Sequence, residues 1–434
     1  MSEQPFKLHV SDADLQLLKQ KLELTRLPDE LDEAGWQYGT PLHDVKRIVA
    51  RWKDSFDWRA YETRVNTLPQ FTRDIEVEGF GSLNIHYVHQ RSKVENAIPL
   101  LFVHGYTGTQ GPGHFMEAEK ILPLLVDSKS DGPSFHVVAL SLPGYGFSEA
   151  PKKKGFAGAQ YAEVSNVLPK VKVKKRTQLL VTVVQGGDWG FMVARKLSLI
   201  YGHKHVKAWH SNFAATSGPP SLRTNPLLFL QHLFTPYTLR DKVGFLRSLW
   251  FQTKGMGYVA EQSTQPQTVG YSLADSPVGL LAWVYEKLVQ WTDSYPWTDD
   301  EGLCSSFPAP APQTSDDHEI LPVLQWISLY WFSRAGPAAS LRIYYEVGAA
   351  AGFFKHPWSS VPLGLSYFPK ELLVVPKTWA RTIGKVVFEA EHDSGGHFAA
   401  HEKPSELVGD LKKMFGKDGP AFGIVPGKNG YGTA

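Results

Sequence analysis

A five-residue turn between two apolar segments constrains the fold of this chain more strongly than any other feature. The preceding segment, residues 179–184, is aliphatic and β-branched like a buried strand, and the following segment, residues 191–197, has the composition of a buried helix. Between them the sequence reads Gly-Gly-Asp-Trp-Gly over residues 186–190. Glycines on both sides of one polar residue are typical of a sharp strand-to-helix turn that exposes the central side chain. The motif therefore predicts that Asp188 is presented as a nucleophile.

The carboxylate of Asp188 limits the chemistry that such a turn can support. Turns of this pattern usually carry Ser, which needs a base before it can attack. An Asp with an ordinary pKa of about 4 is already ionised at neutral pH, so it can displace a leaving group at an sp³ carbon directly. The product is an ester of the Asp188 carboxylate, which an activated water must then hydrolyse. For an isolated motif, however, the simpler explanation is that Asp188 caps the helix. Whether Asp188 is a nucleophile or only a cap therefore depends on whether the chain also carries the other catalytic groups.

Apolar strand segments alternate with helical segments through much of the chain, which indicates a mostly parallel sheet covered by helices on both faces. Combined with the turn at Asp188, this pattern predicts the α/β-hydrolase fold. The strand segments are residues 71–77, 83–88, 98–103, 135–142, 206–213, 363–368 and 386–389. Between residues 219 and 352 the strand pattern stops, and helical, aromatic sequence predicts an inserted lid. The predicted divisions are a helical N-terminal extension (1–70), a core in two parts (71–218 and 353–415), the lid (219–352) and an irregular tail (416–434).

Composition and charge exclude several classes of protein. A net charge of +2 gives no reason to propose a nucleic-acid partner, and a single cysteine, Cys304, excludes an intrachain disulfide. Because the sequence contains no apolar run of about 18 residues, we expect a cytoplasmic protein without a signal peptide or a membrane anchor. The 13 Trp and 17 Tyr residues are more than a minimal core requires and suit an apolar cleft. The sequence leaves the oligomeric state open, and a homodimer is compatible with it.

A catalytic base is expected late in the chain, because α/β-hydrolases carry their histidine after the last strand of the sheet. His397 lies in a glycine-rich turn, Gly-Gly-His-Phe, just past the strand segment 386–389. His401 falls in the helical segment that follows and is better explained as a surface residue. Spacing alone does not separate His397 from His392.

The acid that orients this base is expected after the preceding strand. Glu371 directly follows the strand segment 363–368 and lies 26 residues before His397. The alternative is that Glu371 is an exposed carboxylate at the start of a helix. Three other acidic residues share the strand or loop of the histidine, which places them poorly for its far ring nitrogen: Glu389, Glu391 and Asp393.

An oxyanion hole is expected from two backbone N–H groups beside Asp188. Trp189 supplies one of them, because it follows the nucleophile in the chain. The second should come from the loop after His104-Gly105, where Tyr106 is the natural candidate. The simpler alternative is that Tyr106 only contributes to packing.

Taken together, these residues resemble the epoxide hydrolases of the microsomal type over residues 6–415, and among them the soluble fungal members most closely. The resemblance rests on Ser-Leu-Pro-Gly-Tyr-Gly-Phe-Ser at 141–148, Gln-Gly-Gly-Asp-Trp-Gly at 185–190, Gly-Gly-His-Phe-Ala-Ala at 395–400 and Glu-Lys-Pro at 402–404. It also covers the N-terminal extension, which is similar to the N-terminal meander domain of that family.

The resemblance implies a mechanism and two further site residues. In this family two lid tyrosines hydrogen-bond the epoxide oxygen. Tyr258 in Gly-Tyr-Val and Tyr344 in Arg-Ile-Tyr-Tyr-Glu match them, with Tyr345 beside the second. Asp188 then attacks one epoxide carbon to form a hydroxyalkyl ester, and His397 activates the water that releases a vicinal diol. The implied substrate is a small hydrophobic epoxide, and no metal or organic cofactor is implied.

The chain departs from the family pattern in two places. The microsomal members carry an N-terminal membrane anchor, which we do not expect here. The family also reads His-Gly-Trp-Pro-Gly at the oxyanion loop, whereas this chain has five additional residues, 107–111, between Tyr106 and Pro112-Gly113. A tolerated surface bulge is the simpler interpretation, and a reshaped pocket mouth or a displaced Tyr106 amide is the alternative.

Three alternative functions remain for a chain with this fold. An Asp-nucleophile dehalogenase uses the same aspartate and histidine but needs halide donors, usually Trp or Asn, where this chain has Tyr258 and Tyr344. A biosynthetic epoxide-opening cyclase keeps the fold, and the additional residues motivate it. A non-catalytic binding protein is the least favoured, because it has no need for the complete set of catalytic side chains.

Overall fold

A mostly parallel sheet organises the chain. The computed structural model describes residues 3–105, 114–128, 131–168, 171–173, 176–178, 182–216, 218–295, 297, 321–349 and 357–432. The strands are β1 (Gln4–Pro5), β2 (Gln70–Val77), β3 (Gly81–Gln90), β4 (Ile98–Val103), β5 (Phe135–Leu140), β6 (Val171–Val173), β7 (Arg176–Gln178), β8 (Thr182–Gly186), β9 (Val206–Ser211), β10 (Ser359–Tyr367) and β11 (Gly384–Glu391). Within the described residues, nine of them form one sheet in the order β1-β2-β3-β5-β4-β8-β9-β10-β11. The pairings from β1 to β5 are antiparallel, and all those from β5 to β11 are parallel.

The helices fall into three groups along the chain. Those between β1 and β2 are α1 (Asp12–Glu23), α2 (Leu42–Asp54) and α3 (Trp58–Val65). Those between or after the strands are α4 (Ile121–Val126), α5 (Gly158–Val167), α6 (Trp189–Tyr201), α14 (Lys377–Ala380), α15 (Ala399–Glu402) and α16 (Pro404–Phe415). Those between β9 and β10 are α7 (Pro226–Phe234), α8 (Leu239–Trp250), α9 (Gly257–Thr264), α10 (Pro266–Asp275), α11 (Pro277–Trp291), α12 (Leu321–Trp331) and α13 (Arg342–Ala349).

Strand β4, which is apolar throughout, shows that the sheet is covered on both faces. All six residues of β4 are buried, and successive side chains along a strand point to opposite faces. Leu101 and Val103 therefore pack into one core cluster with α5 and α6, whereas Leu100 and Phe102 pack into the other with α4 and α16. This arrangement holds β8, which precedes the nucleophile turn, rigidly between two neighbouring strands.

The N-terminal helices pack on the helices between β9 and β10. Helices α1 and α2 both contact α11. Lys21 of α1 donates to Asp275 Oδ1 at 2.5 Å, and the Thr40 hydroxyl donates to the Ala282 carbonyl oxygen at 2.8 Å. Because these bonds join residues more than 200 positions apart, the N-terminal segment braces the lid helix that leads toward the site.

Each of the eight predicted strand segments overlaps a strand of the structure, although residues 179–181 of the segment before the turn lie outside the described residues. The predicted α/β-hydrolase fold is confirmed. The short hairpin of β6 and β7 was not predicted, because its sequence has the composition of a charged surface segment. Residues 416–432 contain no helix or named strand but lie against the core, where Ala421 and Val425 are buried. In the described part of the chain, no helix combines the length and the apolar character needed to cross a bilayer.

Candidate active site

The turn between β8 and α6 holds Asp188 in a strained backbone conformation. Its φ of +50° and ψ of −121° lie in a region that residues other than glycine rarely occupy. Two glycines of the motif, Gly186 and Gly190, are required because neighbouring backbone leaves no room for a side chain. A Cβ on Gly186 would lie 2.5 Å from the backbone of Gly190, and a Cβ on Gly190 would lie 2.1 Å from the Val103 carbonyl oxygen. The turn therefore forms only with glycine at both positions, and it places the Asp188 carboxylate at the carboxyl edge of the sheet.

Asp188, His397 and Glu371 form a continuous chain of contacts. His397 Nε2 lies 3.3 Å from Asp188 Oδ2, and His397 Nδ1 lies 2.5 Å from Glu371 Oε1. The loop with Glu371, after β10, runs beside the loop with His397, after β11. A hydrogen bond joins the two loops, in which the Lys370 N–H donates to the Gly395 carbonyl oxygen at 3.1 Å. The predicted nucleophile and the predicted acid thus contact the two ring nitrogens of the same histidine.

Opposing effects set the charge of His397. Burial lowers the pKa of its imidazole, but the carboxylates of Glu371 and Asp188 on either side raise this pKa by more, to about 10. In the free protein the ring is therefore an imidazolium held between two carboxylates at neutral pH. A general base must be neutral to accept a proton, so the predicted role of His397 as a base requires that its imidazole first loses its proton.

The other candidates for base and acid point away from Asp188. His392 Nε2 contacts Asp410 Oδ2 at 2.6 Å, in a separate buried cluster. Glu389 pairs with an arginine after α14 at 2.6 Å, and Glu391 pairs with a lysine of α14 at 2.7 Å. Asp393 is exposed. The structure therefore favours His397 over His392 as the base, a choice that the spacing in the sequence left open.

His401 is buried, and its interpretation as a surface residue is wrong. Its Nε2 lies 3.1 Å from the Tyr295 hydroxyl, and its ring packs edge to face against Trp326 with centroids 4.4 Å apart. The short helix α15 turns this side chain under the lid, where aromatic residues cover it. The sequence did not reveal this contact because its partners lie on distant helical and loop segments.

One of the two predicted oxyanion donors is adjacent to the carboxylate. The Trp189 N–H donates to Asp188 Oδ1 at 2.7 Å, so this amide contacts an oxygen of the carboxylate that the sequence predicts as the nucleophile. The same bond caps α6, so a role of Asp188 as a helix cap is compatible with its predicted role as a nucleophile. Tyr106 and residues 107–111 lie outside the described residues. The residue before them, Gly105, abuts the turn, since a Cβ on it would lie 2.9 Å from Asp188 Cβ.

Tyr258 and Tyr344 share a pocket with Asp188. Tyr258 lies in the first turn of α9 and Tyr344 in α13, and their rings pack edge to face with centroids 5.8 Å apart. Both are buried, whereas Tyr345 is 46% exposed, so α13 turns only the first of its adjacent tyrosines toward the core. With Asp188 and Trp189 they line a cavity of about 200 Å³.

The rest of the cavity wall is almost entirely apolar. A π-helical turn, Phe251–Gly255, connects α8 to the segment before α9, and such turns occur frequently at functional sites. The apolar side chains of the wall are Met192, Phe213, Phe251, Met256, Val259, Leu372 and Leu373. Such a wall favours an apolar ligand and disfavours a charged one, which would lose its hydration without gaining partners. Among the described residues, no group of three His, Cys, Asp or Glu side chains is arranged to hold a metal ion.

Sequence reasoning did not identify Trp291 as a site residue. Trp291 ends α11, and its ring centroid lies 5.1 Å from that of His397 and 5.4 Å from that of Tyr258. It therefore contacts both the histidine and one of the lid tyrosines. No local signal distinguished it from the other tryptophans of an aromatic-rich segment.

Two buried carboxyl groups beside the site also escaped the sequence interpretation. Glu117 Oε2 accepts the Gly105 N–H at 3.2 Å, and Glu402 accepts backbone N–H groups on both sides of His397. Burial raises the pKa of Glu117 to about 7 and that of Glu402 to about 7. The Glu-Lys-Pro motif that contains Glu402 was part of the resemblance, but the motif alone gave the residue no role.

The sheet is mostly parallel and its sharp turn presents an aspartate, which contacts a later histidine that in turn contacts an acid. This arrangement defines an α/β-hydrolase with aspartate at the position of the nucleophile. Residues 3–117 match the family model described as the epoxide hydrolase N terminus, and residues 98–237 match the alpha/beta hydrolase fold. The chain belongs to the epoxide hydrolases. It is 34% identical to Epoxide hydrolase 1 of Sus scrofa over 430 residues, which cover 95% of this chain and 88% of that relative.

Solved structures of epoxide hydrolases share the fold of this chain. The epoxide hydrolase of Aspergillus niger is 32% identical with a TM-score of 0.74, and the match covers 95% of each chain. The juvenile hormone epoxide hydrolase of the silkworm Bombyx mori is 26% identical with a TM-score of 0.77, and the match covers 94% of this chain and 93% of the other. The similarity therefore extends over the N-terminal segment, the sheet and the lid together.

Proposed function

We propose that this enzyme opens a small hydrophobic epoxide through an ester on Asp188, which water activated by His397 then hydrolyses to a vicinal diol. The strongest support for this proposal is the position of Asp188 relative to His397 and to two tyrosines. Asp188 contacts the His397 ring through Oδ2 and lines the same apolar cavity as two buried phenols, those of Tyr258 and Tyr344. A nucleophile, a base and two proton donors within one cavity are the groups that this reaction needs.

In the first step the Asp188 carboxylate attacks one carbon of the epoxide. A bond forms between a carboxylate oxygen and that carbon, and the carbon–oxygen bond of the strained ring breaks. The electron pair of the broken bond goes to the epoxide oxygen, which takes a proton from a phenol of Tyr258 or Tyr344. Phenol donors stabilise this oxygen most when its charge develops, so they lower the barrier rather than only binding the substrate.

In the second step water attacks the carbonyl carbon of the ester. His397 takes a proton from the water, and Glu371 stabilises the imidazolium that forms through its contact with Nδ1. The Trp189 N–H, which contacts Asp188 Oδ1 in the free protein, stabilises the oxyanion of the tetrahedral intermediate. Collapse of the intermediate breaks the bond between the carbonyl carbon and the diol oxygen, which takes a proton from the His397 imidazolium as it leaves. One oxygen from water stays on Asp188, and the proton of the resulting carboxyl group passes back to His397.

The charge of the site changes between the two steps in the direction that the mechanism needs. Ester formation removes the negative charge of Asp188, one of the two charges that hold the pKa of His397 at about 10. The pKa of His397 therefore falls once the ester has formed, since Glu371 alone remains against the effect of burial. The proton that the imidazolium releases balances the phenolate left by ring opening, and the neutral imidazole can then accept a proton from water.

The substrate class follows from the cavity. A volume of about 200 Å³ with an aromatic and aliphatic wall suits a compact apolar substituent next to the epoxide ring. The dehalogenase alternative would require halide donors in place of the phenols, and the cyclase alternative rests on residues 107–111, which the structure does not describe. The relatives reported above carry the names of epoxide hydrolases, which supports ring opening by hydrolysis.

The two phenols provide a direct test of this function. Tyr258→Phe and Tyr344→Phe are each expected to slow ester formation by about 10²-fold, because each removes one donor to the developing alkoxide, and the double variant should lose more. Tyr345→Phe is the matched control, since the neighbouring phenol is exposed and should leave the rate unchanged. The measurement is the rate of adduct formation on Asp188 under single-turnover conditions with styrene oxide. Equal rates for the wild type and the double variant would remove both phenols from the mechanism.

A further inference from the structure

Glu402 binds the loop that carries the proposed base on both sides of the histidine. Its buried carboxylate accepts the Gly396 N–H through Oε2 at 3.2 Å and the Phe398 N–H through Oε1 at 3.0 Å. These are the residues immediately before and after His397. A carboxylate can accept from several N–H groups at once because both oxygens carry free lone pairs, so one side chain fixes the backbone at both neighbours of the base.

The same carboxylate also binds the end of the lid helix. Glu402 Oε2 accepts the N–H of Asp293, two residues after the end of α11, at 2.9 Å. Two more bonds join these segments: the Gly395 N–H donates to Asp293 Oδ2 at 2.9 Å, and the His397 N–H donates to the Trp291 carbonyl oxygen at 2.9 Å. The histidine loop is therefore bonded to the lid at three consecutive backbone positions, and Glu402 provides the middle connection.

Packing at this junction leaves little freedom for adjustment. A Cβ on Gly396 would lie 2.5 Å from the Trp291 carbonyl oxygen, so the two backbones are already in close contact. The Trp291 ring stands perpendicular to the His397 ring, at an interplanar angle of 89°. Any displacement of the loop therefore also displaces the imidazole relative to Asp188.

We propose that Glu402 is a positioning residue for ester hydrolysis, which ties the His397 loop to the end of the lid helix and so holds Nε2 in line with the attacking water. This inference rests on the proposed function. Glu402 acts only through the backbone and does not contact the reacting atoms. Its effect falls on the second step, because Asp188 is held independently by the turn between β8 and α6.

The substitution Glu402→Gln tests this role with an isosteric side chain. Glutamine keeps one carbonyl oxygen but places an NH₂ group against backbone N–H donors, so at least one bond to the loop is lost. A displacement of about 1 Å at a catalytic group slows a reaction by about 10²-fold. We therefore expect the rate constant for ester hydrolysis to fall by about 10–10²-fold. Ester formation should change little, so the adduct on Asp188 should accumulate during turnover.

Three controls keep the result interpretable. Glu406→Gln removes a carboxylate from the next helix, away from the histidine loop, and should leave both rate constants unchanged. Asp293→Ala removes the acceptor of the Gly395 N–H, so we expect it to slow ester hydrolysis selectively, but by less than Glu402→Gln does. This variant tests the same connection if Glu402→Gln folds poorly. Thermal unfolding of each variant records its stability separately from the rate constants.

The outcomes separate this inference from the proposed function. Selective slowing of hydrolysis in Glu402→Gln and Asp293→Ala supports a positioning role. Equal slowing of both steps, or a loss of stability with neither rate constant changed, overturns it and leaves Glu402 with a structural role only. A wild-type enzyme that forms diol without any ester on Asp188 would instead overturn the proposed function, and the wild-type sample of the same experiment detects that result.

Discussion

Replacing His397 by Gln is expected to trap the ester on Asp188. Glutamine keeps a polar side chain beside Oδ2 but cannot take a proton from water, so ester hydrolysis should slow by about 10²–10⁴-fold. Ester formation should continue, because the first step does not require His397 to accept a proton. Mass spectrometry of the intact protein after incubation with styrene oxide should therefore show one adduct per chain, and digestion should locate that adduct on the peptide with Asp188.

The substitution His392→Gln is the informative control for this experiment. His392 was the alternative base on spacing, but the structure places its ring against Asp410 in a separate cluster. We expect His392→Gln to turn over without accumulating an adduct. Full turnover of His397→Gln, or an adduct in the His392 variant alone, would assign the base to a different histidine.

Removing the carboxylate at position 188 is expected to abolish the reaction and to reveal the strain of the turn. Asp188→Ala and Asp188→Gly should both lose ester and diol formation, since neither side chain can attack an epoxide. The two variants should differ in stability, because the φ of +50° is strained for alanine but readily adopted by glycine. Strain of this kind costs about 1–3 kcal/mol, and the greater freedom of glycine in the unfolded chain offsets part of it.

The expected difference is a free energy of unfolding about 1 kcal/mol higher for Asp188→Gly than for Asp188→Ala. Denaturant unfolding measures it, and the comparison is internally matched because both variants lose the same charge beside His397. An alanine variant as stable as the glycine variant would show that the turn stores no strain. Residual diol formation by either variant would show that another nucleophile is present.

The sheet and the nucleophile turn could be predicted because their signals are local. Strand β4 is a continuous apolar run that begins and ends at the predicted residues, and its burial on both faces follows directly from that composition. Gly186 and Gly190 likewise marked a turn in which the structure leaves no room for a Cβ. Signals of this kind depend on a few consecutive residues, so they can be recognised without knowledge of how the rest of the chain folds.

The choice among candidate side chains could not be made locally, because it depends on contacts between distant residues. His392 and His397 are only five positions apart, yet their partners lie on different elements. His392 pairs with Asp410 of α16, whereas His397 pairs with Glu371 after β10. Tyr344 came from the resemblance, and the helical phase of α13 turns it rather than Tyr345 toward the core. The role proposed for Glu402 depends on an amide more than 100 residues earlier in the chain, which no sequence pattern reveals.

The covalent ester on Asp188 is tested most directly by a single turnover in heavy-oxygen water. With enzyme in excess over styrene oxide, the first diol should carry only ordinary oxygen, because its new oxygen comes from the Asp188 carboxylate. The heavy oxygen should appear in the peptide that contains Asp188, and later turnovers should pass it into the diol. Heavy oxygen in the first diol, with none in that peptide, would contradict the account by showing that water attacks the epoxide directly.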